Sequence, residues 1–449
     1  MYIDFLLSVF KGYDKNEAII WQDKGFTYQW LFNQYCYWRE KIKSENIHFG
    51  AITIIEADFS PNSIALFLAL LEHGCILVPL TNSVEAKRDE FIEIAQGEVL
   101  FNIDVQDKVT ISKLSCNSDH EIYQKLKETK RPGLVLFSSG STGRSKAAVH
   151  DMTAILEKFK VRRHTLRTIT FLLYDHIGGV NTLLYVLSNA GLIVTINDRN
   201  PDSVLKAVEK YRVELLPTSP TFINLILLSE AYKRYDISSL KTVTYGTEPM
   251  LESTLKRFSK LFPDIRLLQT YGLSEIGILR SKSKGSDSLW VKVGGEGFKT
   301  RIVDGMLEIK AQSAMLGYLN AQSPFTKDGW FKTGDAVEVN GEYIKILGRK
   351  SGIINVGGEK VYPQEVESVI QEMDNVAEVT VYGEKNPIIG NIVCAKVSLR
   401  VNDDHKEFIH TLKKYCSERL QNYKIPVKVI VTDTKQHSER SKKVRFQTY

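Results

Sequence analysis

The chain of 449 residues carries a formal net charge of only +6, with 59 Lys and Arg against 53 Asp and Glu. A hydrophobic content of 43% is that of a folded globular protein, and the length predicts two or more domains. One short basic cluster near the C-terminus, without interleaved aromatic residues, is weak support for nucleic-acid binding, so we expect no nucleic acid partner.

The cysteines and the apolar stretches indicate the compartment. Five cysteines are scattered without a close pair, so neither a disulfide framework nor a metal-ligand spacing is visible and a cytoplasmic location is predicted. The N-terminus lacks the basic flank and cleavage pattern of a signal peptide. The longest apolar stretch, residues 63–80, is interrupted by Glu72-His73-Gly74 and predicts a core helix running into a strand rather than a transmembrane segment.

Strand and helix patterns alternate along the first half of the chain. Strands are predicted at residues 51–55, 74–80, 134–137, 192–196, 213–217 and 242–246. Helices are predicted at residues 28–43, 62–72, 201–211 and 221–232. This β-α-β rhythm predicts an α/β fold with mixed or parallel sheets flanked by helices.

The pattern of predicted elements changes in the second half of the chain. Residues 291–346 carry short strand patterns with Gly and Asp turns, which predicts a β-rich subdomain. Beyond Arg349, helix and strand patterns alternate again in a compact α+β unit of roughly a hundred residues. We therefore predict a large N-terminal domain at residues 1–348 and a small C-terminal domain at residues 349–449.

A loop rich in glycine and hydroxyl groups follows the strand predicted at residues 134–137. Glycines let backbone N–H groups approach a ligand closely, and hydroxyls with cations suit the oxygens of a polyphosphate. The candidate phosphate-binding residues are Ser138, Ser139, Gly140, Ser141, Thr142, Gly143 and Lys146. The spacing is not that of a Walker P-loop, and by itself the stretch equally fits a Ser/Gly-rich surface turn.

Two further stretches carry groups suited to a nucleotide. Residues 269–275 place the ring of Tyr271 and the carboxylate of Glu275 around a glycine turn. A tyrosine ring can stack on a nucleobase and a glutamate beside phosphates is a natural Mg²⁺ ligand, although a strand-end turn with a solvated Glu has the same pattern. Residues 329–335 place Asp335 in a tight turn, where it suits a ribose diol or simply closes a β-turn.

Together with the stretches at residues 348–367 and 441–445, these motifs resemble the adenylate-forming superfamily, which comprises acyl- and aryl-CoA synthetases, peptide-synthetase adenylation domains and luciferases. The resemblance covers nearly the whole chain, with the motifs in the family's order. It implies an enzyme that uses ATP and Mg²⁺ to convert a carboxylic acid into an acyl-adenylate and pyrophosphate. A thiol, with CoA as the expected acceptor, would then take the acyl group.

The resemblance also implies a role for each motif. The loop at residues 138–146 would hold the β- and γ-phosphates, with Thr142 among the catalytic groups, and Glu275 would bind Mg²⁺. The remaining nucleotide-binding residues would be Gly246, Thr247, Glu248, Pro249, Thr270, Tyr271, Gly272, Ser274, Asp335 and Arg349.

The catalytic lysine is less well defined. The stretch at residues 440–445 departs from the family's Ser-Gly-Lys-x-x-Arg pattern. Counting back from Arg445 gives Lys442 as the catalytic and nucleotide-contacting lysine, with Lys443 as an alternative. A disordered basic tail is the competing interpretation. Two smaller departures are Ser145, where the family usually has Pro, and Ser351, where the hinge often has Asp.

The acid and the thiol are expected at two other segments. His176 and the glycines after it fit the acid-binding segment of acyl- and aryl-CoA synthetases, whereas Asp175 leaves an amino acid substrate open. The residues implied for the acid pocket are Asp175, His176, Gly178, Tyr245 and Gly246, with Thr270 on its floor. Rotation of the C-terminal domain about a hinge near Lys350 and Ser351 would form a thiol tunnel lined by Gly357, Gly358 and Lys360.

Two other functions stay open from the sequence. One is a stand-alone adenylation enzyme that loads an acyl or amino acid onto the phosphopantetheine of a carrier protein. Because no carrier domain follows residue 449, that carrier would be a separate chain. The other is a nucleotide-binding regulator that has lost turnover, which only the altered lysine motif suggests.

Overall fold

The computed structural model describes residues 1–116, 118–139, 145–434, 436–438 and 443, without the side chain of Ser139. The α-helices in this part of the chain are α1 (Asp4–Gly12), α2 (Tyr28–Ser44), α3 (Pro61–His73), α4 (Arg88–Ala95), α5 (Glu121–Glu128), α6 (Met152–Leu156), α7 (Ile177–Ser188), α8 (Pro201–Tyr211), α9 (Pro220–Ser229), α10 (Glu252–Leu261), α11 (Pro363–Gln371) and α12 (His405–Ser417). Short 3-10 helices lie at residues 82–87, 157–159, 231–233, 350–352 and 422–424.

The strands follow the same chain order. They are β1 (Glu17–Trp21), β2 (Lys24–Thr27), β3 (Ile52–Glu56), β4 (Ile76–Leu80), β5 (Val99–Ile103), β6 (Val109–Lys113), β7 (Gly133–Ser139), β8 (Ser145–Asp151), β9 (Arg167–Ile169), β10 (Leu192–Val194), β11 (Leu215–Thr218), β12 (Thr242–Tyr245), β13 (Arg266–Gln269), β14 (Gly272–Leu273), β15 (Gly277–Ile278), β16 (Arg280–Ser283), β17 (Val291–Gly294), β18 (Phe298–Val303), β19 (Met306–Ala311), β20 (Gly317–Tyr318), β21 (Phe331–Asn340), β22 (Tyr343–Arg349), β23 (Ile354–Val356), β24 (Glu359–Val361), β25 (Val376–Asn386), β26 (Gly390–Leu399) and β27 (Lys428–Val431).

Two sheets of seven described strands each form the centre of the N-terminal domain. The first has the order β13-β12-β11-β9-β10-β1-β2 and is parallel except for β2. The second has the order β20-β8-β7-β4-β3-β5-β6, in which β7, β4, β3 and β5 are parallel. The largest hydrophobic cluster joins buried residues of both sheets with residues of α1, α2, α3 and α7. The predicted mixed and parallel sheets are therefore confirmed.

The second half of the chain forms two further units. An antiparallel sheet with the order β16-β17-β22-β21-β19-β18 covers the β-rich region predicted at residues 291–346. The C-terminal α/β region combines β23 to β27 with α11 and α12 around its own hydrophobic cluster. This agrees with the predicted fold class, whereas the domain boundary at residue 349 and the hinge stay predictions.

Local signals explain the helix that was predicted to run into a strand. Ser60 caps α3 by accepting a hydrogen bond from the backbone of Ser63, and Pro61 occupies the first helical position, where a missing N–H costs nothing. Gly74 ends the helix with a φ of 87°, and β4 follows. Among the described residues, no helix is both long and apolar enough to cross a membrane.

Helix α7 begins with two features that fix its position. His176 accepts a hydrogen bond from the backbone of Gly178 through Nδ1 at 3.0 Å, which caps the helix. Gly179 packs so closely on the preceding segment that a Cβ atom there would lie 2.0 Å from the carbonyl oxygen of Leu173. That oxygen belongs to the backbone and cannot move aside as a flexible side chain would, so this position requires glycine.

We expect Gly179→Ala to destabilise the protein by about 3 kcal/mol, because the start of α7 must shift to relieve the overlap. The thermal unfolding midpoint measures this change. Gly12→Ala is the matched control, since nothing lies within 4 Å of the added Cβ atom at the end of α1. The control is expected to be neutral or stabilising by about 0.5 kcal/mol. Equal midpoints for the two variants would contradict the steric argument.

Candidate functional site

The candidate site lies at the carboxyl ends of β12 and β13, where ligands bind in open parallel sheets. The chain leaves β12 through Gly246 and Thr247 and leaves β13 through Thr270. Thr270 donates its backbone N–H and its hydroxyl to the carbonyl oxygen of Tyr245, at 2.7 and 3.0 Å. A Cβ atom on Gly246 would lie 2.6 Å from Oγ1 of Thr270, so only glycine allows these two turns to touch. Thr247 has a φ of 71°, which is strained for a residue with a side chain.

A cavity of about 410 Å³ opens beside these turns. Several sequence-predicted nucleotide residues line it together: Gly246, Thr247, Glu248, Pro249, Thr270, Tyr271, Gly272, Asp335 and Arg349. Its opposite wall comes from the C-terminal α/β region through Gln371, Glu378 and Val379, with Lys443 beside them. The cavity therefore lies between the two parts of the chain.

A buried carboxylate forms the polar centre of this cavity. Asp335 on β21 lies opposite Arg349 on β22 in the antiparallel register. Its Oδ1 atom accepts from Nε of Arg349 at 2.8 Å, and its Oδ2 atom accepts from the hydroxyl of Tyr271 at 2.5 Å. Burial raises the pKa of Asp335, and the positive charge of Arg349 opposes that rise.

Glu275, the predicted magnesium ligand, lies close to the strand that follows the predicted phosphate loop. Its Oε1 atom accepts from the hydroxyl of Tyr318 at 2.7 Å, and Nζ of Lys146 lies 5.4 Å from the centre of the Tyr318 ring. The pairing of β20 with β8 brings Tyr318 beside Lys146, and no pattern in the sequence signalled this residue.

The carboxylate of Glu275 fits a hard cation. Its second oxygen has no hydrogen-bond partner among the described residues, and carboxylate oxygens are the ligands that Mg²⁺ prefers. The described residues contain no group of three or more His, Cys, Asp or Glu that could hold a metal ion. A magnesium ion on Glu275 would therefore need oxygens from the substrate or water to complete its coordination.

His150 is a second residue that the sequence did not signal. It is fully buried, and its Nε2–H donates to the carbonyl oxygen of Ser274 at 2.5 Å. Burial lowers its pKa to about 4, so the ring is neutral at physiological pH. This hydrogen bond fixes the backbone immediately before Glu275.

A second cavity, of about 860 Å³, continues from the first. Ser138, His176, Gly178 and Glu275 line it from the N-terminal domain, and Tyr362 and Asn391 line it from the C-terminal region. Both cavities include Gly246 and Thr270, so the groups predicted for the acid adjoin those predicted for the nucleotide. The arrangement brings His176 and Gly178 to the same space as Glu275.

Two residues predicted for the acid pocket lie elsewhere. Asp175 is buried and accepts from the hydroxyl of Thr81 at 2.9 Å. Tyr245 is buried in the hydrophobic cluster of the first sheet. Neither residue is among those that line the two described cavities.

The remaining predicted residues divide into two groups. Gly357 and Gly358 form the turn between β23 and β24, with the exposed Lys360 on β24. None of these three lines the two described cavities. The predicted phosphate-binding residues Gly140, Ser141, Thr142 and Gly143, and the predicted catalytic Lys442, lie outside the described residues.

Lys443 connects the two parts of the chain across the first cavity. Its backbone N–H donates to Oε2 of Glu248 in the N-terminal domain at 2.9 Å. Its ammonium group donates to Oε2 of Glu367 on α11 at 2.9 Å. Glu367 is fully buried, and its Oε1 atom accepts from the backbone of Val381 at 2.9 Å.

Comparison with protein families gives two matches. Residues 8–303 match the model of the AMP-binding enzyme family, and residues 365–443 match the model of the AMP-binding enzyme C-terminal domain. The first match alone covers more than half of the chain.

Relatives of known name are CoA ligases or synthetases. An indoleacetate–CoA ligase of Aromatoleum aromaticum is 28% identical over 329 residues, which are 67% of this chain and 64% of that protein. Acyl-CoA synthetase 7 of Caenorhabditis elegans is 32% identical over 272 residues, which are 56% of this chain and 49% of that protein. The chain thus spans about half to two thirds of the length of these two relatives.

Solved structures share the fold over nearly the whole chain. The anthranilate CoA ligase AuaEII, solved with anthranoyl-AMP, superposes with a TM-score of 0.84 at 18% identity, covering 99% of this chain and 95% of that chain. The o-succinylbenzoate CoA synthetase of Bacillus subtilis, solved with its acyl-adenylate, gives a TM-score of 0.76 at 20% identity, covering 98% and 97%.

We expect Asp335→Asn to raise the thermal midpoint at neutral pH by on the order of 2 °C. The pKa of Asp335 is raised in the folded state, so the ionised carboxylate costs stability above that pKa. This gain in midpoint should disappear as the pH falls through the pKa of Asp335 in the folded protein towards 3.8, its ordinary value. At that pH the carboxyl group is protonated in both the folded and the unfolded state. Unfolding midpoints of both proteins across this pH range measure the effect.

The exposed Asp328 is the control for this substitution. Hydrogen bonds from Thr326 and Arg301 lower its pKa, so Asp328→Asn should leave the midpoint unchanged or lower it at neutral pH. A lower midpoint for Asp335→Asn than for the parent protein at neutral pH would show that the Arg349 ion pair outweighs the cost of burial.

Proposed function

The chain belongs to the AMP-binding enzyme family, within the adenylate-forming superfamily, and we propose that it is an ATP-dependent carboxylate ligase. It would form an acyl-adenylate and pyrophosphate and then pass the acyl group to a thiol. The observation that carries this proposal is the convergence of Tyr271, Asp335, Arg349 and Lys443 on one cavity at the carboxyl ends of β12 and β13. These residues come from parts of the chain that are far apart in sequence.

The nucleotide would lie across the first cavity. The turn from Gly246 to Pro249 would border the adenine, with the ring of Tyr271 beside it. The carboxylate of Asp335 would accept hydrogen bonds from the ribose hydroxyls, since Arg349 and Tyr271 already hold that carboxylate in a fixed orientation. Ser138 and Lys146 would lie beside the phosphates of the nucleotide, next to Glu275.

The first half-reaction requires cations. A carboxylate oxygen forms a bond to the α-phosphorus of ATP while the bond from that phosphorus to the pyrophosphate oxygen breaks. Both reactants are anions, so positive groups must offset their repulsion and hold them in line. Lys146 and a lysine near the C-terminus would supply this charge from the protein. Magnesium on Glu275 would neutralise phosphate charge when bound.

We propose that Lys443, the alternative in the motif, acts on the nucleotide in place of Lys442, which the motif spacing predicts. Two contacts of Lys443 support this assignment, namely its backbone hydrogen bond to Glu248 and its ion pair with Glu367. Both contacts hold the residue beside the cavity that contains Asp335. On ATP binding, the ammonium group would exchange its buried carboxylate partner for an oxygen of the substrate.

The second half-reaction would use CoA. The thiol sulfur attacks the carbonyl carbon of the mixed anhydride, and AMP leaves. The relatives named above are CoA ligases or synthetases, which favours CoA over a carrier protein. Gly357, Gly358 and Lys360 would line the thiol path after the C-terminal region rotates about Lys350 and Ser351. A cytoplasmic location fits the five free cysteines and remains a prediction.

The experiment that tests this function is ATP–pyrophosphate exchange across a panel of carboxylic acids, with hydroxylamine trapping of the acyl-adenylate. At least one acid should give acid-dependent exchange and a hydroxamate. To identify the acceptor, the same acid is supplied with CoA or with a carrier protein bearing phosphopantetheine. The acceptor is the one whose mass increases by that of the acyl group. No exchange with any acid, while ATP still binds, would favour a regulator over an enzyme.

We expect Lys443→Ala to lower the exchange rate about 100- to 1000-fold, the range for removing one group that stabilises charge in a transition state. Lys442→Ala is the matched control, since it removes the same charge one residue away. The initial rate of pyrophosphate exchange at saturating ATP measures both variants. A larger loss in Lys442→Ala would assign the role to Lys442 instead. Unchanged exchange rates in both variants would show that neither lysine takes part in the reaction.

A further inference from the structure

Glu378 is a carboxylate of the C-terminal α/β region that lines the first cavity, and the proposed chemistry does not use it. It lies on β25, and its neighbour Val379 lines the same cavity. The side chain of Glu378 is only 14% exposed. A carboxylate removed from water to this extent needs hydrogen-bond donors from the protein. The C-terminal stretch of the chain supplies them.

Both carboxylate oxygens of Glu378 accept hydrogen bonds from two consecutive residues. Its Oε1 atom accepts from Nδ1 of His437 at 2.7 Å, and its Oε2 atom accepts from the backbone N–H of Gln436 at 3.1 Å. The side-chain amide of Gln436 in turn donates to the carbonyl oxygen of Glu378 at 3.2 Å and to Oγ of Ser398 at 2.9 Å. Burial alone would raise the pKa of Glu378, but these hydrogen bonds and the charges of His437 and Lys443 lower it. The ionised carboxylate thus attaches this stretch to β25.

The attachment continues from His437 to Lys443. The two residues pair in an isolated antiparallel β-bridge. Lys443 lines the first cavity, where its backbone bonds to Glu248 and its ammonium group pairs with Glu367. The place of Lys443 in the cavity wall therefore depends on where the strand partner His437 is held, and Glu378 is the charged group that holds it.

We propose that Glu378 is a positioning residue, which fixes Gln436 and His437 so that the bridge to His437 places Lys443 at the nucleotide. This inference rests on the proposed function, because it concerns the lysine proposed to act in adenylation. Glu378 acts on the reaction only through Lys443. Its removal therefore costs the protein the correct placement of a cation, and not a contact of its own with the substrate.

Two other roles of Glu378 make different predictions. If the carboxylate only stabilises the C-terminal region, its removal impairs the protein whether or not Lys443 is present. If it contacts the nucleotide directly, its removal adds a second loss to that of the lysine. A residue that acts through Lys443 has no effect once the lysine side chain is gone, because groups that work as a unit are not additive.

The test is a double-mutant cycle on the initial rate of ATP–pyrophosphate exchange, measured at saturating ATP with the acid that gives the highest rate in the panel. Glu378→Ala should lower this rate about 10- to 100-fold, since a displacement of about 1 Å can cost that much. Glu378→Gln keeps one oxygen acceptor and should lose less. In the Lys443→Ala background, Glu378→Ala should lower the rate by no more than about twofold. An equal loss in both backgrounds would overturn the inference.

Glu384→Ala is the matched control. Glu384 lies on the same strand, pairs with Lys428 at 2.9 Å and lines neither of the two described cavities. Its replacement removes a carboxylate and an ion pair from β25, as Glu378→Ala does, and should leave the exchange rate unchanged. Equal rates for Glu384→Ala and Glu378→Ala would also contradict the positioning role.

A second measurement needs no turnover. Acetic anhydride modifies lysine amines, and mass spectrometry with fragmentation between Lys442 and Lys443 gives the rate at each. The side chain of Lys443 is 17% exposed and ion-paired, so it should react slowly in the parent protein. Glu378→Ala should raise its rate relative to the exposed Lys360, and Glu384→Ala should not.

The two measurements separate this inference from the proposed function. An unchanged acetylation rate at Lys443 in Glu378→Ala would overturn the positioning role whether or not any acid supports exchange. If no acid supports exchange but the acetylation rate rises, the proposed function fails, and Glu378 still holds Lys443 at the cavity.

Discussion

The ion pair between Asp335 and Arg349 joins three parts of the molecule. The antiparallel register of β21 and β22 places the two side chains opposite each other. The hydroxyl of Tyr271 attaches this pair to the end of the first parallel sheet, and Arg349 is the last residue of β22, which precedes the 3-10 helix at residues 350–352 and strand β23. A buried carboxylate tolerates few arrangements, because it needs both a counter-charge and hydrogen-bond donors. The burial of Asp335 in this cavity therefore depends on Arg349 and Tyr271 lying beside it.

Much of the fold follows from local signals in the sequence. Helix α8 has the predicted bounds because Asn200 caps it and Pro201 occupies its first position. The strand at residues 76–80 is a continuous apolar segment, and the strand at residues 52–56 is buried over its first four residues, as is typical of parallel strands covered on both faces. Such signals depend on neighbouring residues, so they can be read before any tertiary contact is known.

The parts of the site that the sequence did not indicate depend on distant pairings. Tyr318 reaches Glu275 only because β20 pairs with β8, and nothing near residue 318 in the sequence specifies that pairing. Asp175 stands next to His176 in the chain, yet it bonds with Thr81 while His176 faces the larger cavity. Adjacent residues at the start of a helix point in different directions, so a motif alone does not tell which of them contacts a ligand.

The double attachment of Lys443 has an entropic consequence. Its backbone is held by Glu248 and its ammonium group by the buried Glu367, so both ends of a long, flexible side chain are fixed. Immobilising a lysine side chain costs roughly 2 kcal/mol. Here this side-chain entropy is already lost when the protein folds, before any substrate binds. A substrate that recruits Lys443 would have to replace an existing ion pair, but it would not have to order a freely rotating chain.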